Sequence, residues 1–307
     1  MCVEIAAVSA ERESAGDHFA NPPSRSRLLL TERLGHAWRL RSVRGALLAM
    51  TDSSLRHVAP YWWTNRAPWY AGRAVESLHG SARVDRCVFE LTEPAIGTFL
   101  KGLLWLNAYE TFERYVVGRY LPRSLPVVEF GAAIGVVSCV VNRLLSEPRR
   151  HVCVEANPRL IPLLQSNRAR NRCQFSIVHA ALAYDGDSVS FGISDGIVDS
   201  SLDAASDCRR VSVPAVSLAD ILDQSGFDRC TVVCDVEGAE ADLVAREGPV
   251  LRERVFALIM EVHPERIGSS GVVRLHQQLS TLGFSSIWRR GTVWVMRQGA
   301  ASAGKTS

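Results

Sequence analysis

The stretch Val127-Val-Glu-Phe-Gly-Ala-Ala-Ile-Gly135 decides the fold of this chain. Its apolar start predicts a buried strand, and its two glycines predict a tight turn that leads into a helix. From this point to about residue 298, apolar runs of strand length alternate with helical patterns. Such alternation indicates βαβ units and a mostly parallel sheet with helices on both faces. We therefore expect an α/β, Rossmann-like fold.

The predicted elements follow one another in a regular order. Five strands are expected at 126–130, 151–155, 175–182, 230–235 and 255–261, and an antiparallel pair at 285–288 and 293–296 closes the chain. Helices are expected from Asn157, at 217–224, at 239–246 and around 272–282. The Asp185-Gly-Asp187 turn predicts a hairpin that leads into a strand at 188–191. These elements predict a seven-stranded sheet.

Composition narrows the class of protein. The chain has 307 residues, 47% of them apolar and 22% charged, as is typical of globular proteins. A net charge of +3 argues against a protein that mainly coats nucleic acid, and no nucleic-acid partner is predicted. No apolar run approaches the ~20 residues of a membrane span, and the start of the chain lacks the basic residues of a secretion signal. The eight cysteines include no C-x-x-C pair, which favours buried, reduced thiols in a cytoplasmic protein.

Four segments are predicted along the chain. Residues 1–20 form a flexible leader, 21–90 an extension, 91–298 the main domain and 299–307 a disordered tail. The extension has five aromatic residues within 61–70, which suit either a lid or acceptor platform or packing against the main domain. Its arginine-rich stretch at 25–44 suits peripheral contact with an anionic membrane or a solvated helix. Residues 193–208 are predicted to form a loop.

The glycine turn also predicts a ligand. From Glu129 to Gly135 the pattern is E-x-G-x-x-x-G, which differs from the G-x-G-x-x-G of dinucleotide-binding proteins. It is the form common where the ligand is S-adenosylmethionine, and Glu129 is expected to receive the ammonium group of that ligand. Gly131, Ala132 and Gly135 are expected to let the backbone approach it. The alternative is a turn with a purely structural role.

A second acid follows at the spacing expected for ribose binding. Glu155 ends the next predicted strand about 20 residues after the turn, where a carboxylate accepts hydrogen bonds from two adjacent hydroxyls. Ala156, Asn157 and Ala180 are assigned to the same cofactor site. The alternative for Glu155 is a helix cap or a solvated side chain.

Two further strand ends have acidic residues. Asp235-Val-Glu237-Gly-Ala-Glu240 follows one strand, and Glu261-Val-His263-Pro ends the next. Ligands of open α/β sheets bind at such strand ends, so Asp235 is assigned to the cofactor site as well. The unperturbed pKa of a histidine, about 6.5, suits a general base, although a structural histidine is an equally good interpretation. Carboxylates of Asp235, Glu237 and Glu261 would suit magnesium, but no metal ligand is assigned.

From about Tyr109 to Met296 the chain resembles the FkbM family of S-adenosylmethionine-dependent methyltransferases. The resemblance rests on the glycine turn, on Val154-Glu155-Ala-Asn-Pro158, on Asp235-Val-Glu-Gly-Ala-Glu240 and on Glu261-Val-His-Pro264. It implies a class I methyltransferase fold and methylation of hydroxyl oxygens on sugars, glycolipids or other natural products. Three positions depart from the family pattern, because Glu129 replaces an aspartate, Ala133 replaces an asparagine and Val233 replaces a lysine.

The resulting prediction is an O-methyltransferase that uses S-adenosylmethionine and acts on a small-molecule, saccharide or lipid-linked acceptor. His263 or Asp235 would take the acceptor's proton, and Glu261 would act as orienter or second acid. One alternative is a nicotinamide-dependent oxidoreductase, for which the spacing of the turn is wrong. The other is a non-catalytic protein of methyltransferase fold that binds S-adenosylmethionine or serves as a scaffold.

Overall fold

The computed structural model describes residues 61–78, 80–93, 96–193 and 209–299. All of them belong to one compact unit. The predicted leader, the arginine-rich stretch at 25–44, most of the predicted loop at 193–208 and the tail after Gly299 lie outside these ranges.

Nine helices and twelve strands are present in the ranges given above. The helices are α1 (Tyr61–Leu78), α2 (Thr98–Trp105), α3 (Thr111–Tyr120), α4 (Val136–Leu144), α5 (Ile161–Arg170), α6 (Leu218–Ser225), α7 (Glu240–Arg246), α8 (Gly248–Arg254) and α9 (Pro264–Thr281). The strands are β1 (Ser81–Val84), β2 (Cys87–Glu90), β3 (Val127–Phe130), β4 (His151–Glu155), β5 (Ser176–His179), β6 (Ala181–Leu182), β7 (Ser188–Ile193), β8 (Arg209–Val216), β9 (Cys230–Cys234), β10 (Val255–Glu261), β11 (Phe284–Arg290) and β12 (Val293–Gln298).

Seven strands form the central sheet in the order β11-β12-β10-β9-β3-β4-β5. The pairs from β10 to β5 are parallel, whereas β12 is antiparallel to both β10 and β11. The chain runs from β3 outward to β5 and then returns to β9 on the other side of β3. This is a Rossmann-like sheet with an antiparallel closing pair, and it confirms the predicted α/β fold with a mostly parallel, seven-stranded sheet.

Apolar side chains cover both faces of this sheet. On one face Val127, Cys153 and Val233 belong to a core that extends to α1–α5. On the other face Val128 and Phe130 belong to a core that extends to α6–α9. Strands buried on both faces are typical of parallel sheets, because each crossover helix covers one face.

The region before β3 packs tightly onto the rest of the unit. Helices α1 and α2 cross closely. A Cβ added to Gly102 would lie only 1.7 Å from the carbonyl oxygen of Pro68, so there is no room for a side chain at this crossing. The side chain of Asn171, at the end of α5, bonds both backbone groups of Val88 in β2. Trp69 and Tyr70 of the aromatic run are 47% and 59% exposed, so these two side chains are not packed into the core.

The region after β4 differs from the prediction in two ways. The expected strand at 175–182 is divided at Ala180, whose N–H bonds the carbonyl of Glu155, and β6 then pairs with β8. The expected hairpin through Asp185-Gly-Asp187 is wrong, because β7 pairs with β8 and the small sheet has the order β6-β8-β7. β8 therefore lies between the two strands that the turn was expected to pair.

The last helix begins earlier than predicted, at Pro264, and contains a kink at Gly268, where φ is +71°.

Five of the six described cysteines are buried, as their position in apolar runs predicts, and Cys173 is half-buried. Within the part of the chain that is described, no helix combines the length and apolar character that crossing a bilayer requires.

Candidate active site

A cleft of about 770 Å³ opens at the carboxyl ends of β3, β4 and β9. It lies where the chain order reverses, since β4 follows β3 on one side and β9 flanks β3 on the other. Open α/β sheets bind ligands at such a switch point. Six of the predicted cofactor residues line it, namely Gly131, Glu155, Ala156, Asn157, Ala180 and Asp235.

The glycine turn brings the backbone close to the cleft. Gly131 has a φ of +86°, and a Cβ there would lie 1.7 Å from the carbonyl oxygen of Asp235. The N–H groups of Gly131 and Ala132 both donate to the carbonyl of Val154, at 3.0 and 3.2 Å. Gly135 precedes α4 and packs against Leu164. Neither Ala132 nor Gly135 lines the cleft, so both support the turn from behind.

The Glu155 carboxylate joins the turn to the end of β4. Its two oxygens accept 2.7 Å hydrogen bonds from the N–H groups of Ala133 and Asn157. Burial raises the pKa of Glu155, and the bonds from the backbone N–H groups oppose this shift. A carboxylate oxygen has two lone pairs, so each one can still accept a bond from a ligand hydroxyl.

Glu129, which was expected to receive the ammonium, lies in a buried polar network and does not line the cleft. Its Oε1 accepts a hydrogen bond from Ser138 at 2.8 Å, and its Oε2 lies 3.0 Å from Nε2 of His151. The thiol of Cys153 is 3.5 Å from the same Oε2. These contacts occupy both oxygens of Glu129, beneath the glycine turn.

Much of the cleft wall is apolar. Phe130, Val154, Leu182 and Phe191 line it together with several alanines. Such a surface suits a flat ring system, because ring faces gain from desolvation and from contact with apolar side chains.

His263 is at the centre of an acidic cluster beside the cleft. Its Nδ1 donates to Oε1 of the fully buried Glu240 at 2.7 Å. Its Nε2 lies 3.5 Å from Oδ1 of Asp235 and 3.6 Å from Oε2 of Glu237. Burial lowers the pKa of His263, but the hydrogen bond and charge of Glu240 and the charges of Asp235 and Glu237 raise it to about 9. The imidazole is therefore charged at neutral pH.

Asp235 and Glu237 reach the cleft from the turn after β9. Burial and the charge of Glu261 raise the pKa of Asp235 well above its ordinary value, while His263 opposes the shift. Burial likewise raises the pKa of Glu237. Glu237 has a φ of +53°, a conformation that is uncommon outside glycine and that concentrates at functional sites.

Glu261 lies in a smaller adjoining cavity of about 410 Å³ rather than in the cleft itself. Its Oε1 accepts a hydrogen bond from Thr292 at 2.8 Å. Glu113 lines the same cavity, and burial together with the charge of Glu261 raises the pKa of Glu113 to about 7.

Two residues of the site, Tyr109 and Glu110, were not predicted. Glu110 lines both cavities, and its buried Oε2 has no hydrogen-bond partner. Burial and the charges of Glu113 and Asp235 raise the pKa of Glu110 well above its ordinary value. The only sequence signal is an acid between aromatic residues, at 109–112, which matches no motif.

The charge of the cleft is one-sided. Glu110, Glu155, Asp235 and Glu237 line it, and none of the described arginines or lysines does. The pKa values of all four are raised in the ligand-free protein, so a ligand with positive charge would favour their ionised forms and an anionic ligand would not.

The sequence matches no protein-family model and no curated protein. Several solved structures are similar to this chain. A ribosomal protein L11 methylase from Lactobacillus delbrueckii subsp. bulgaricus shares 14% identity over 63% of this chain and 80% of its own, with a TM-score of 0.38. An O-methyltransferase from Bacillus cereus in complex with SAH shares 12% identity over 61% and 79%, also with a TM-score of 0.38. A magnesium protoporphyrin IX methyltransferase from Synechocystis PCC 6803 with bound SAM shares 12% identity over 62% and 77%, again with a TM-score of 0.38. Similarity at this level assigns no activity to this chain, and the residues of the site carry the functional argument.

Proposed function

We propose that this chain binds S-adenosylmethionine in the cleft and transfers its methyl group to a hydroxyl oxygen of an acceptor. The observation that carries the proposal is the charge of the cleft, with four carboxylates and no basic side chain among its described lining residues. S-adenosylmethionine has a sulfonium and an ammonium cation against one carboxylate. The pyrophosphate of a nicotinamide cofactor is doubly negative, so the same carboxylates would repel it.

The residues of the cleft fit the parts of this cofactor. Glu155 would accept hydrogen bonds from both ribose hydroxyls, and Phe130, Val154 and Phe191 would contact the adenine. We assign the ammonium to Glu110, which lines the cleft and whose Oε2 has no partner, rather than to Glu129, which lines only the smaller cavity. When bound, the cofactor supplies an electrophilic methyl carbon.

Deprotonation of the acceptor falls to Asp235 in this proposal. His263 is a poor proton acceptor at neutral pH because its pKa is about 9. Asp235 lines the cleft, and the positive charge of the bound cofactor and of His263 would favour its ionised form, which can accept the acceptor's proton. The His263 cation would hold Asp235 in place, and Glu261 would orient the acceptor from the adjoining cavity.

The acceptor class rests on the resemblance to the FkbM family and on the chemistry of the adjoining cavity. Carboxylates of Glu110, Glu113 and Glu261 line that cavity, and they accept hydrogen bonds from hydroxyl groups. We therefore propose a polyhydroxylated acceptor, such as a saccharide, a glycolipid or a hydroxylated secondary metabolite. The departures at Ala133 and Val233 leave the choice within that class to experiment.

The test is transfer of a radiolabelled methyl group from S-adenosylmethionine to a panel of saccharides, glycolipids and hydroxylated metabolites. We expect labelling of at least one acceptor, with a loss of a hundredfold or more in Asp235→Asn. The exposed Glu147→Gln variant should retain full activity. S-adenosylhomocysteine binding without transfer to any member would contradict the enzymatic proposal and favour the non-catalytic alternative.

A further inference from the structure

The distances around Nε2 of His263 point to a missing partner. Nε2 lies 3.5 Å from Asp235 Oδ1 and 3.6 Å from Glu237 Oε2, and both distances exceed those of ordinary N–H···O hydrogen bonds. Ligands that share one metal ion, each about 2.0–2.2 Å from it, are roughly 3.0–3.6 Å apart. The distance from Nε2 to Oδ1 of Asp235 is thus that of two neighbouring ligands on one ion, whereas Asp235, Glu237 and His263 do not together form a set at ligand spacing.

The opposite side of the imidazole is arranged as in a metal site. Nδ1 of His263 donates to Oε1 of Glu240, which is 0% exposed and whose Oε2 has no hydrogen-bond partner. Histidines that ligate metals nearly always donate their other ring N–H to such an acceptor, which fixes the ring orientation and directs the second nitrogen at the ion. Thr292 holds Glu261 in a similar way.

Acids outnumber bases around His263. Asp235, Glu237 and Glu240 lie within 4 Å of its imidazole, the charge of Arg266 acts on Glu237, and Oδ1 of Asp235 is buried without a hydrogen-bond partner. Buried carboxylates are costly unless a cation or hydrogen-bond donors compensate them. A divalent cation would supply that compensation.

We propose that Asp235, Glu261 and His263 bind a divalent first-row cation such as Mn²⁺. One ligand atom from each residue lies within 4.8 Å of the others, so the three side chains would have to move closer together to share one ion. A mixed set of imidazole and carboxylate ligands suits Mn²⁺ better than Ca²⁺, which takes oxygen ligands.

This inference rests on the proposed function, because the ion would hold the acceptor. Three protein ligands on an octahedral ion leave three positions open, enough for two adjacent oxygens of a vicinal diol. With the ion bound, Asp235 would be a ligand, and the proton of the acceptor's O–H bond would pass to solvent instead of to Asp235. The O–CH3 bond would form as the S–CH3 bond of S-adenosylmethionine breaks, and S-adenosylhomocysteine would leave with the electron pair of that bond.

The test is a titration of the metal-free full-length protein with Mn²⁺, in which the electron paramagnetic resonance signal of the free ion measures how much Mn²⁺ remains unbound. We expect one site per chain, with affinity reduced at least tenfold in Asp235→Asn and His263→Asn. Glu240→Gln should weaken binding by about 10- to 100-fold through the orientation of His263. Glu253→Gln, at an exposed acid just before β10 begins, should bind as the unaltered protein does.

Two further outcomes would overturn the assignment. Absence of binding, or equal affinity in Asp235→Asn and His263→Asn, excludes the site. A loss in Glu265→Gln as large as in Asp235→Asn would place the ion at the neighbouring group Glu237, His263 and Glu265 instead. Parallel titration with S-adenosylhomocysteine separates the two proposals. If the unaltered protein binds S-adenosylhomocysteine but not Mn²⁺, the metal site is contradicted. If it binds Mn²⁺ but not S-adenosylhomocysteine, the proposed function is contradicted.

Discussion

Glu155 shows how one side chain serves both the fold and the site. Its oxygens bond the N–H groups of Ala133 and Asn157, so the carboxylate joins the glycine turn to the start of the next segment. The same carboxylate lines the cleft. A substitution there acts on ligand binding and on the turn together, and its effect must be compared with a stability measurement.

Replacing Glu155 by glutamine should weaken the binding of S-adenosylhomocysteine tenfold or more. The loss of one charge-assisted hydrogen bond costs about 1.5–3 kcal/mol, and 1.4 kcal/mol corresponds to a factor of ten. Calorimetric titration measures the affinity, and thermal unfolding checks that the variant is folded. The exposed Glu147→Gln variant serves as the control. Equal affinity in a folded Glu155→Gln protein would exclude the ribose assignment.

The environment of His263 predicts a titration far from the ordinary value. Its pKa of about 9 depends on Glu240, so the imidazole signals of the metal-free protein should titrate near pH 9 in nuclear magnetic resonance spectra. Glu240→Gln keeps a hydrogen-bond acceptor but removes the charge, and should lower the pKa. A pKa close to 6.5 in the unaltered protein would contradict the proposed positioning role.

At the scale of elements, the helix crossing of α1 and α2 depends on small residues. A Cβ at Gly102 would lie 1.7 Å from the carbonyl oxygen of Pro68, and one at Gly72 would lie 1.8 Å from that of Thr98. Both contacts are with backbone, which cannot move aside without separating the helices. Close approach of the two helices thus requires glycine at both positions.

Gly102→Ala should lower the free energy of unfolding by roughly 2 kcal/mol or more, as overpacking typically does. Gly118→Ala is the matched control, because Gly118 is exposed in α3 and a Cβ there meets nothing within 4 Å. That change should raise stability by about 0.5–1 kcal/mol. Denaturant unfolding of both variants measures the difference, and equal effects would exclude the proposed close crossing.

Sequence patterns predicted the elements around the cleft better than those far from it. Long apolar runs that end near acids predicted the bounds of β3, β4, β9 and β10 to within one residue. A strand that is buried on both faces is apolar at nearly every position, which makes it easy to recognise in the sequence. The hairpin of β1 and β2 was not predicted. Its turn places Asp85 and Arg86 at φ of 45° and 69°; aspartate is common at the first of these positions, but arginine stands where glycine is usual, so the turn signal is lost.

At the scale of the whole molecule, the acids of the site come from distant parts of the chain. The strand ends after β4, β9 and β10 were predictable, because parallel strands end at the same edge of a sheet. Glu110 and Glu113 were not, because only the folded chain brings the start of α3 against that edge. For the same reason the sequence did not predict that His263 would be charged, which depends on three acids of the segment that follows β9, at positions 235, 237 and 240.

The raised pKa values predict how stability depends on pH. His263, Glu113, Asp235 and Glu110 all bind protons more tightly in the folded protein than in the unfolded chain. Their contribution is complete below the ordinary pKa of each group and is lost as pH rises through the folded pKa. The melting temperature of the ligand-free protein should therefore fall between about pH 5 and pH 9.

Because S-adenosylmethionine would replace those protons as the source of positive charge, it should raise the melting temperature more at pH 9 than at pH 6. Thermal unfolding across this range, with and without the cofactor, measures both effects. A melting temperature that rises steadily with pH would contradict the assignment of the acidic cluster.

The most direct test of the central claim is a pair of calorimetric titrations, one with S-adenosylhomocysteine and one with NADH, into the same preparation. The ribose contact of Glu155 and the ammonium contact of Glu110 predict saturable binding of S-adenosylhomocysteine, weakened in Glu155→Gln, and the acids of the cleft predict no binding of NADH. Saturable NADH binding without S-adenosylhomocysteine binding would contradict the account.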